Sequence, residues 1–296
     1  MSRVVARASG DAVEVDGDEG RFLVYSVTKT FLGTLALLLA EDGRLRLDDS
    51  VREWVALDDV PDVPLRRLLD HTAGIPDYGL LPEYASAVCD SPGRAWGDRE
   101  LLGLALTQPR PFAPGEGWAY SNTGYLLVRL ALEAVAGEVG AALEERVLEP
   151  LGLRDTRLAR TPDDLRDLVA APSPQLRVDD VRGVYDPCWV GHRTLASTAA
   201  DVARFFAHLT GGRVLAPASY AEFVRRVEVP FDVPWMGRAA YGVGVMIDAE
   251  RLAFGHGGGG PGYRAGVFGS AGRAVAVLEV GERDGVEVEA LELLGV

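Results

Sequence analysis

The arrangement of β-type and helical patterns along the 296 residues limits the possible folds more than any single motif does. Residues 3–15 alternate in polarity around Ser9-Gly10-Asp11, a pattern typical of a β-hairpin. From Tyr241 onward the pattern is again β-type, in three runs bounded by Gly or Asp: YGVGVMID, YRAGVFGS and AVAVLEVG. Helical periodicity occupies the interval between these ends. We therefore predict an α/β protein in which an antiparallel sheet built from both termini is flanked by helices and carries a mostly helical inserted domain.

The same pattern predicts the domain organisation. Residues 1–55 and 190–296 are expected to form the α/β sheet domain and residues 56–189 the mostly helical domain, with the active site at their interface. The predicted helices cover about Ser26–Asp42 before Gly43, Leu65–Leu69, Tyr125–Val147 divided at Gly137, and Ala199–Leu209.

The composition argues against several classes of partner. The net charge of −14 disfavours nucleic acid and anionic membrane surfaces, because an acidic surface repels phosphate. The residues before Ser26 lack the apolar segment of a secretory signal, and Phe31–Ala40 is too short to span a bilayer. Cys89 and Cys188 are too few for a disulfide framework or a zinc site, and the four histidines show no metal-ligand spacing. We therefore expect a cytoplasmic protein with a small-molecule substrate, no cofactor, no metal, and no nucleic-acid or membrane partner.

Lys29 is the single lysine among the 30 basic residues, the rest being arginine. Arginine keeps its proton at any working pH, whereas a buried lysine can lose it. Ser26 precedes Lys29 by three residues at the start of a predicted helix, so that both side chains share one helical face. A serine hydroxyl needs such a base to act as a nucleophile, and the positive end of a helix dipole favours the developing anion. The alternative is that Ser26 is only an N-cap and Lys29 a solvated first-turn residue.

Two further motifs carry groups that suit a catalytic site. Tyr120-Ser121-Asn122 offers a phenol that can relay a proton and an amide that can orient the lysine and bind a substrate carbonyl. The alternative for this motif is a turn followed by a helix N-cap. In Gly255–Tyr263, a run of glycines follows His256, and their backbone amides can form part of an oxyanion hole. The alternative there is a flexible glycine-rich loop.

The order of these motifs resembles that of the class C β-lactamase and esterase family of serine hydrolases, the β-lactamase-related group. The resemblance extends from about residue 22 to residue 270. It is specific because several ordered blocks agree, whereas each block alone would be weak evidence. The additional blocks are Leu68–Pro76, Pro114-Gly115, Pro150–Thr156, Ser197–Asp201 and Tyr241–Gly244.

The resemblance implies a role for each motif residue. Ser26 corresponds to the nucleophile, Lys29 to the acylation base and Tyr120 to the proton relay. Asn122 corresponds to the residue that contacts both the lysine and the substrate. The implied oxyanion hole consists of the backbone amides of Ser26 and Gly259, with Gly258 and His256 as the neighbouring substrate-binding positions of the same strand.

This sequence departs from the family pattern near the site. His256 stands where penicillin-binding enzymes carry the lysine of a Lys-Thr-Gly strand. Because histidine is only partly charged at neutral pH, anion capture is weaker, which favours esters or uncharged amides over β-lactams. Arg193-Thr194 stands where a small, glycine-rich pair is expected before Ser197-Thr198, and Arg193 either narrows the site, supplies the missing cation or is simply solvated. His71 is expected to be a buried structural residue, and the sequence assigns no role to His192 or His208.

The favoured function is that of a serine hydrolase, most similar to an esterase, which cleaves a small ester or amide through a Ser26 acyl-enzyme. An acyltransferase of small-molecule biosynthesis, a D-amino-acid peptidase or carboxypeptidase, and a β-lactamase would use the same residues. A catalytically silent scaffold on the same fold is the alternative from a different class. The sequence leaves the acyl group, the leaving group and the oligomeric state open.

Overall fold

Strands lie at both ends of the chain and most helices lie between them. The computed structural model describes residues 2–57 and 60–296, and among these residues no helix is both long and apolar enough to cross a membrane. The strands are β1 (Arg3–Ser9), β2 (Ala12–Asp16), β3 (Phe22–Leu23), β4 (Arg157–Ala159), β5 (Thr194–Ser197), β6 (Val227–Glu228), β7 (Ala239–Tyr241), β8 (Met246–Asp248), β9 (Ala253–Gly260), β10 (Tyr263–Ser270) and β11 (Arg273–Val280). The α-helices are α1 (Thr28–Glu41), α2 (Leu65–Leu69), α3 (Pro82–Asp90), α4 (Asp98–Leu106), α5 (Asn122–Ala136), α6 (Val139–Leu143), α7 (Ala199–Thr210), α8 (Pro217–Phe223) and α9 (Val286–Leu294).

An eight-stranded antiparallel sheet organises the molecule, in the order β2-β1-β11-β10-β9-β8-β7-β6. β1 pairs with β11 along its whole length, from Arg3 opposite Glu279 to Ser9 opposite Arg273. The N-terminal hairpin therefore joins the C-terminal strands in one sheet, and the predicted sheet built from both termini is confirmed. A second sheet contains three short strands in the order β3-β5-β4.

The two faces of the large sheet bury different apolar side chains, because successive residues of a strand point to opposite faces. On one face Ala6 and Val267 belong to the main core, and α7 covers β1, β10 and β11. On the other face Val5 and Phe268 pack with Val286 of α9. Helices thus flank the sheet, as the sequence predicted.

The run YGVGVMID, predicted as one strand, is divided in the structure into β7 and β8. Gly244 lies between them with φ +72°, and a Cβ atom there would lie 2.4 Å from the carbonyl oxygen of Lys29. The Thr30 hydroxyl donates to the Gly244 carbonyl at 2.6 Å. The prediction of one strand is wrong because this tertiary contact with α1 interrupts a locally β-type pattern.

Several helices also differ from the predictions. α1 begins at Thr28 instead of Ser26, because Tyr25–Val27 forms a 3-10 turn. The helices on either side of Gly137 are α5 and α6, and α6 continues into a π-helical turn at Glu144–Leu148. α3, α4, α8 and α9 have no counterpart among the sequence predictions.

The division into a sheet domain and a helical domain stays a prediction. β4 comes from the predicted helical segment 56–189, yet it pairs with β5 of the predicted sheet segment, with Arg157 opposite Ala196. The small sheet therefore links the two segments next to β3, which directly precedes the turn that carries Ser26.

Candidate active site

The 3-10 turn at Tyr25–Val27 fixes the position of Ser26. Tyr25 has φ +45°, a conformation that is unfavourable for a residue with a Cβ atom. Its backbone N–H donates to Thr194 Oγ1 at 2.9 Å, and its hydroxyl donates to the Pro261 carbonyl at 2.6 Å. These two hydrogen bonds hold the strained turn, so that Ser26 is presented at the N-terminal end of α1.

Lys29 is fully buried, and its amine lies 2.9 Å from the Ser26 hydroxyl oxygen. Nζ also lies 2.8 Å from Asn122 Oδ1. Burial lowers the pKa of Lys29 well below its ordinary value, and the Asp77 carboxylate acts in the opposite direction. A neutral amine at this distance can accept the proton of Ser26. The alternative that Lys29 is a solvated surface residue is therefore wrong.

Asp77, which the sequence analysis does not identify, fixes the orientation of Asn122. Asp77 Oδ2 accepts the side-chain amide N–H of Asn122 at 3.0 Å, while Oδ1 accepts the backbone N–H groups of Asn122 at 3.1 Å and of Gly79 at 2.9 Å. Because the amide NH2 is committed to Asp77, the amide oxygen faces Lys29. An aspartate that caps a turn is a common local pattern, and its partner lies 45 residues further along the chain, so no local signal distinguishes it.

We expect Asp77→Asn to slow acylation about tenfold and to lower the free energy of unfolding by about 1–3 kcal/mol, because a buried N–H loses its acceptor and the Asn122 amide is no longer held. The acidic limb of the pH–rate profile should move to lower pH, since the lost carboxylate no longer stabilises the Lys29 ammonium. Denaturant unfolding and the pH dependence of kcat/KM would measure these effects.

Asp186→Asn is the matched control for this variant. Asp186 also caps a turn, where it accepts the backbone N–H of Cys188 at 2.9 Å, but it has no hydrogen bond with Lys29 or Asn122 in the described structure. Asp186→Asn should lower the free energy of unfolding without shifting the pH dependence of kcat/KM. Wild-type acylation by Asp77→Asn would contradict the prediction.

Tyr120 lies beside the amine, with its ring centroid 4.8 Å from Lys29 Nζ. Burial raises the pKa of Tyr120, while a hydrogen bond with the Ser26 hydroxyl acts in the opposite direction. The phenol therefore keeps its proton at neutral pH and can exchange it with a reacting group. His71 supports this segment, since its Nδ1 accepts the backbone N–H of Ser121 at 3.1 Å, in keeping with the structural role expected of it.

The glycine-rich motif is strand β9, and the alternative of a flexible loop is wrong. β8 pairs with β9 only up to Gly255, which lies opposite Met246. Beyond Gly255, this edge of β9 has no strand partner among the described residues. A Cβ atom on Gly258 would lie 2.1 Å from the Val24 carbonyl oxygen and 3.2 Å from the Ser26 backbone nitrogen. Glycine at this position therefore lets the free edge of β9, which includes Gly259, approach the backbone of Ser26.

Both ring nitrogens of His256 are already engaged by the protein. Nδ1 lies 2.6 Å from the Gly257 carbonyl oxygen, so it carries the proton, and Nε2 accepts from the Tyr241 hydroxyl at 2.9 Å. Burial, reinforced by the nearby Lys29, lowers the pKa of His256 to about 3. His256 is therefore neutral at physiological pH, as the prediction of weak anion capture requires.

A cavity of about 620 Å³ extends from Ser26 along β9. Arg264 is the one Lys or Arg side chain among the described residues that line it, and it donates to the backbone carbonyls of Gly260, Tyr263 and Glu282. The acidic residues Asp284 and Glu287 also line the cavity. Its walls are otherwise rich in aromatic side chains, including Tyr78, Tyr84, Trp118, Tyr185, Phe231 and Trp235.

The positions of the remaining candidates answer the questions that the sequence left open. His192 reaches the site, with Nε2 3.1 Å from Lys29 Nζ. Arg193 is not among the residues that line the cavity; its guanidinium lies 3.7 Å from Asp98. His208 lies on α7, 3.1 Å from Asp11. Cys89 and Cys188 are free thiols.

Comparison with known proteins identifies the family. A family model described as Beta-lactamase matches residues 3–291. The chain belongs to the Beta-lactamase family. This result confirms the resemblance that the motifs indicated, and it extends the match beyond residues 22–270 towards both ends of the chain.

Curated proteins that are similar to this chain carry different names. Esterase EstB of Burkholderia gladioli is 36% identical over 149 residues, which cover 45% of this chain and 37% of that protein. Penicillin-binding protein 4* of Bacillus subtilis (strain 168) is 32% identical over 140 residues, which cover 46% of this chain and 30% of that protein. The chain thus spans about a third of the length of these curated relatives.

The D-stereospecific amidohydrolase from a Streptomyces species resembles the chain over its full length. The two structures superimpose with a TM-score of 0.84 and 27% sequence identity, over 100% of this chain and 95% of the other. The D-amino acid amidase of Ochrobactrum anthropi SV3 has a TM-score of 0.81 at 20% identity, which shows the shared fold. The predicted β-lactamase and penicillin-binding protein fold is confirmed.

Proposed function

We propose that this member of the Beta-lactamase family is a serine hydrolase that forms an acyl-enzyme on Ser26. The observation that supports the proposal most directly is the 2.9 Å contact between the Ser26 hydroxyl and the amine of the fully buried Lys29. Burial favours the neutral amine, which makes Lys29 a base for the serine. Relatives named as an esterase and an amidohydrolase support the same class of reaction.

The proposed reaction begins when Lys29 takes the proton of Ser26 and the serine oxygen attacks the carbonyl carbon of an ester or amide. The backbone N–H groups of Ser26 and Gly259 stabilise the oxyanion. Tyr120 passes its phenol proton to the leaving group, whose bond to the carbonyl carbon then breaks, and the Lys29 ammonium returns a proton to Tyr120. Water attacks the acyl-enzyme, releases the acid and restores the serine. Asn122 holds Lys29 and contacts the substrate.

We propose uncharged, apolar esters or amides as the substrate class. A substrate carboxylate would find His256 neutral and Arg264 already bonded to backbone carbonyls. Asp284 lies 3.6 Å from the Arg264 guanidinium and offsets its charge, and Glu287 would repel a carboxylate from the same cavity. The aromatic walls favour an apolar group, because burying apolar surface contributes roughly 25 cal/mol per Å².

A matched pair of phenyl esters tests this proposal, one with a para-carboxylate and one with a para-carboxamide on the leaving group. We expect kcat/KM to be about 10–100-fold higher for the carboxamide ester than for the carboxylate ester. This factor is the cost of placing a carboxylate in the cavity without the charge-assisted hydrogen bond that it would need. A chromogenic cephalosporin should be slower than the carboxamide ester. Glu287→Gln is the control, and it should narrow the difference within the pair because it removes a repelling charge. A cephalosporin turned over faster than every ester would contradict the proposal.

Amide hydrolysis with D-stereospecificity is a second candidate. It is favoured by the similarity to the Streptomyces amidohydrolase along the whole chain. Paired D- and L-phenylalanine anilides would test it, because a D-specific amidase should release aniline from one enantiomer alone.

Acyltransferase, scaffold and peptidase functions remain predictions, and each has a simple test. An acyltransferase would transfer the acyl group to an added alcohol or amine in preference to water, which product analysis would show. A silent scaffold would not be labelled by acylating probes. A peptidase or carboxypeptidase would act on peptides that end in D-alanine. The cytoplasmic location and the absence of nucleic-acid, membrane, cofactor and metal partners also stay predictions.

A further inference from the structure

His192, to which the sequence assigned no role, lies directly against Lys29. Its side chain is almost completely buried, with 1% exposure, and Nε2 lies 3.1 Å from Lys29 Nζ. The preceding residue, Gly191, is held on both sides: its N–H donates to the Tyr78 hydroxyl at 2.8 Å, and its carbonyl accepts from Arg129 Nε at 3.0 Å. The backbone is therefore fixed at the point from which the ring reaches the amine.

The packing around Gly191 leaves this segment little freedom to move. A Cβ atom on Gly191 would lie 2.7 Å from Leu126 Cδ1. On the other side of His192, Arg193 has φ +70° and its N–H donates to the Val190 carbonyl at 2.7 Å. The contact between His192 and Lys29 is thus part of a pre-formed arrangement.

The three hydrogen-bond neighbours of Lys29 determine where its lone pair points. A neutral amine has two N–H donors and one lone pair. Asn122 Oδ1, at 2.8 Å, can only accept, because Asp77 holds the amide NH2. His192 Nε2 accepts the second N–H when the ring proton is on Nδ1. The lone pair is then left for the Ser26 hydroxyl at 2.9 Å.

The Nδ1–H form of His192 suits Lys29 before and after proton transfer. Once protonated, Lys29 can donate to the Ser26 oxygen, to Asn122 and to His192 without any rearrangement. The Nε2–H form would instead point a donor at the ammonium. His192 Nδ1 has no protein partner in the described part of the chain, so a proton there displaces no protein hydrogen bond. Burial lowers the pKa of His192 well below its ordinary value and keeps the ring neutral.

We propose that His192 is a positioning residue whose Nε2 accepts one N–H of Lys29 and thereby directs the lone pair of the amine at Ser26. This inference rests on the proposed function, because it concerns the geometry of the proposed base. The proposed base would then need His192, in addition to Ser26, Lys29, Tyr120 and Asn122, to have its lone pair correctly oriented. The proton moves from Ser26 Oγ to Lys29 Nζ along a hydrogen bond that His192 has already aligned.

Other charged or titratable groups face the ring from each element packed around it. They act on the same pH profile, so they must stay unchanged in every variant that is compared. They are Lys29 of α1, Tyr125 and Arg129 of α5, Arg193 of the same segment and His256 of β9.

The test compares His192→Gln with His192→Asn. A glutamine oxygen can reach the position of Nε2 and accept from Lys29, whereas the shorter asparagine places its polar atoms near Nδ1. We expect His192→Asn to lower the acylation rate constant for a chromogenic ester about 10–100-fold, the factor for a buried donor left without an acceptor, with little change in KM. His192→Gln should restore most of this loss.

The pH profile separates positioning from a general effect on structure. The acidic limb of kcat/KM should move to lower pH in His192→Asn, because the ammonium loses a hydrogen bond that stabilised it, and it should return in His192→Gln. Thermal unfolding would verify that both variants are folded.

Two results would overturn the inference: equal acylation rates in both variants, or a faster rate in His192→Asn, which would mean that Nε2–H occupies the lone pair. In either case, covalent labelling of Ser26 in the wild-type protein would show that the proposed function still holds. Absence of that labelling would contradict both the proposed function and the inference about His192.

Discussion

Replacing Ser26 with alanine is expected to abolish turnover and covalent labelling by a fluorophosphonate. The hydroxyl lies 2.9 Å from Lys29 Nζ, at the end of the cavity and next to the free edge of β9. Alanine removes the atom that would carry the acyl group, while Lys29 and β9 keep their places. We expect a rate loss on the order of 10⁴–10⁶-fold, as for removal of the nucleophile in other serine hydrolases.

Intact-mass spectrometry after treatment with the probe measures this directly. Wild-type protein should gain one adduct, and Ser26→Ala should gain none. Ser91→Ala is the matched control, because Ser91 is exposed and ends α3 away from the cavity, so this variant should be labelled like the wild type. A stoichiometric adduct on Ser26→Ala would remove Ser26 from the role of nucleophile.

Lys29→Arg is expected to lower the acylation rate about 10²–10⁴-fold, the usual contribution of general-base catalysis. Arginine stays protonated at any working pH, so it cannot accept the Ser26 proton. Its planar group is also larger than the amine, in a site where Lys29 is fully buried. Burial lowers the pKa of Lys29, which makes the neutral amine accessible in the wild type and not in the variant.

Stopped-flow measurement of acylation against pH would test this prediction. The wild-type rate should rise as pH increases, because the neutral amine is the active form, with an apparent pKa well below the ~10.4 of free lysine. That pKa belongs to the coupled group of Lys29 and its neighbours and not to one residue. Arg99→Lys is the reverse exchange at an exposed position, and it should leave the acylation rate and its pH dependence unchanged. A folded Lys29→Arg variant with near wild-type acylation would show that Lys29 supplies only charge.

The sequence predicted those parts of the molecule whose signals are local. The alternation in residues 3–15 and in the last strands predicted one sheet covered on both faces. The order of the motifs that contain Ser26, Tyr120 and His256 predicted which side chains meet in the candidate site. Ser26 and Lys29 could be paired because one helical turn separates them.

Features that depend on distant contacts could not be predicted in this way. Asp77 and His192 lie on segments far from Lys29 in sequence, and each belongs to a turn of ordinary composition. The break between β7 and β8 results from the approach of Gly244 to α1. The low pKa of His256 depends on burial and on the nearby Lys29, which the sequence does not reveal.

The pairing of β1 with β11 has a consequence for when the site can form. Translation makes Ser26 and Lys29 well before β9, the strand that brings Gly258 against Ser26. One edge of β1 also stays unpaired until β11 has been made. Pairing over such a long loop is slow, because the chain loses conformational entropy before the contacts form. Ser26 and Lys29 therefore stay apart from the edge of β9 until the later strands have been made, and we expect the complete candidate site to form only after β9, β10 and β11 have joined the sheet.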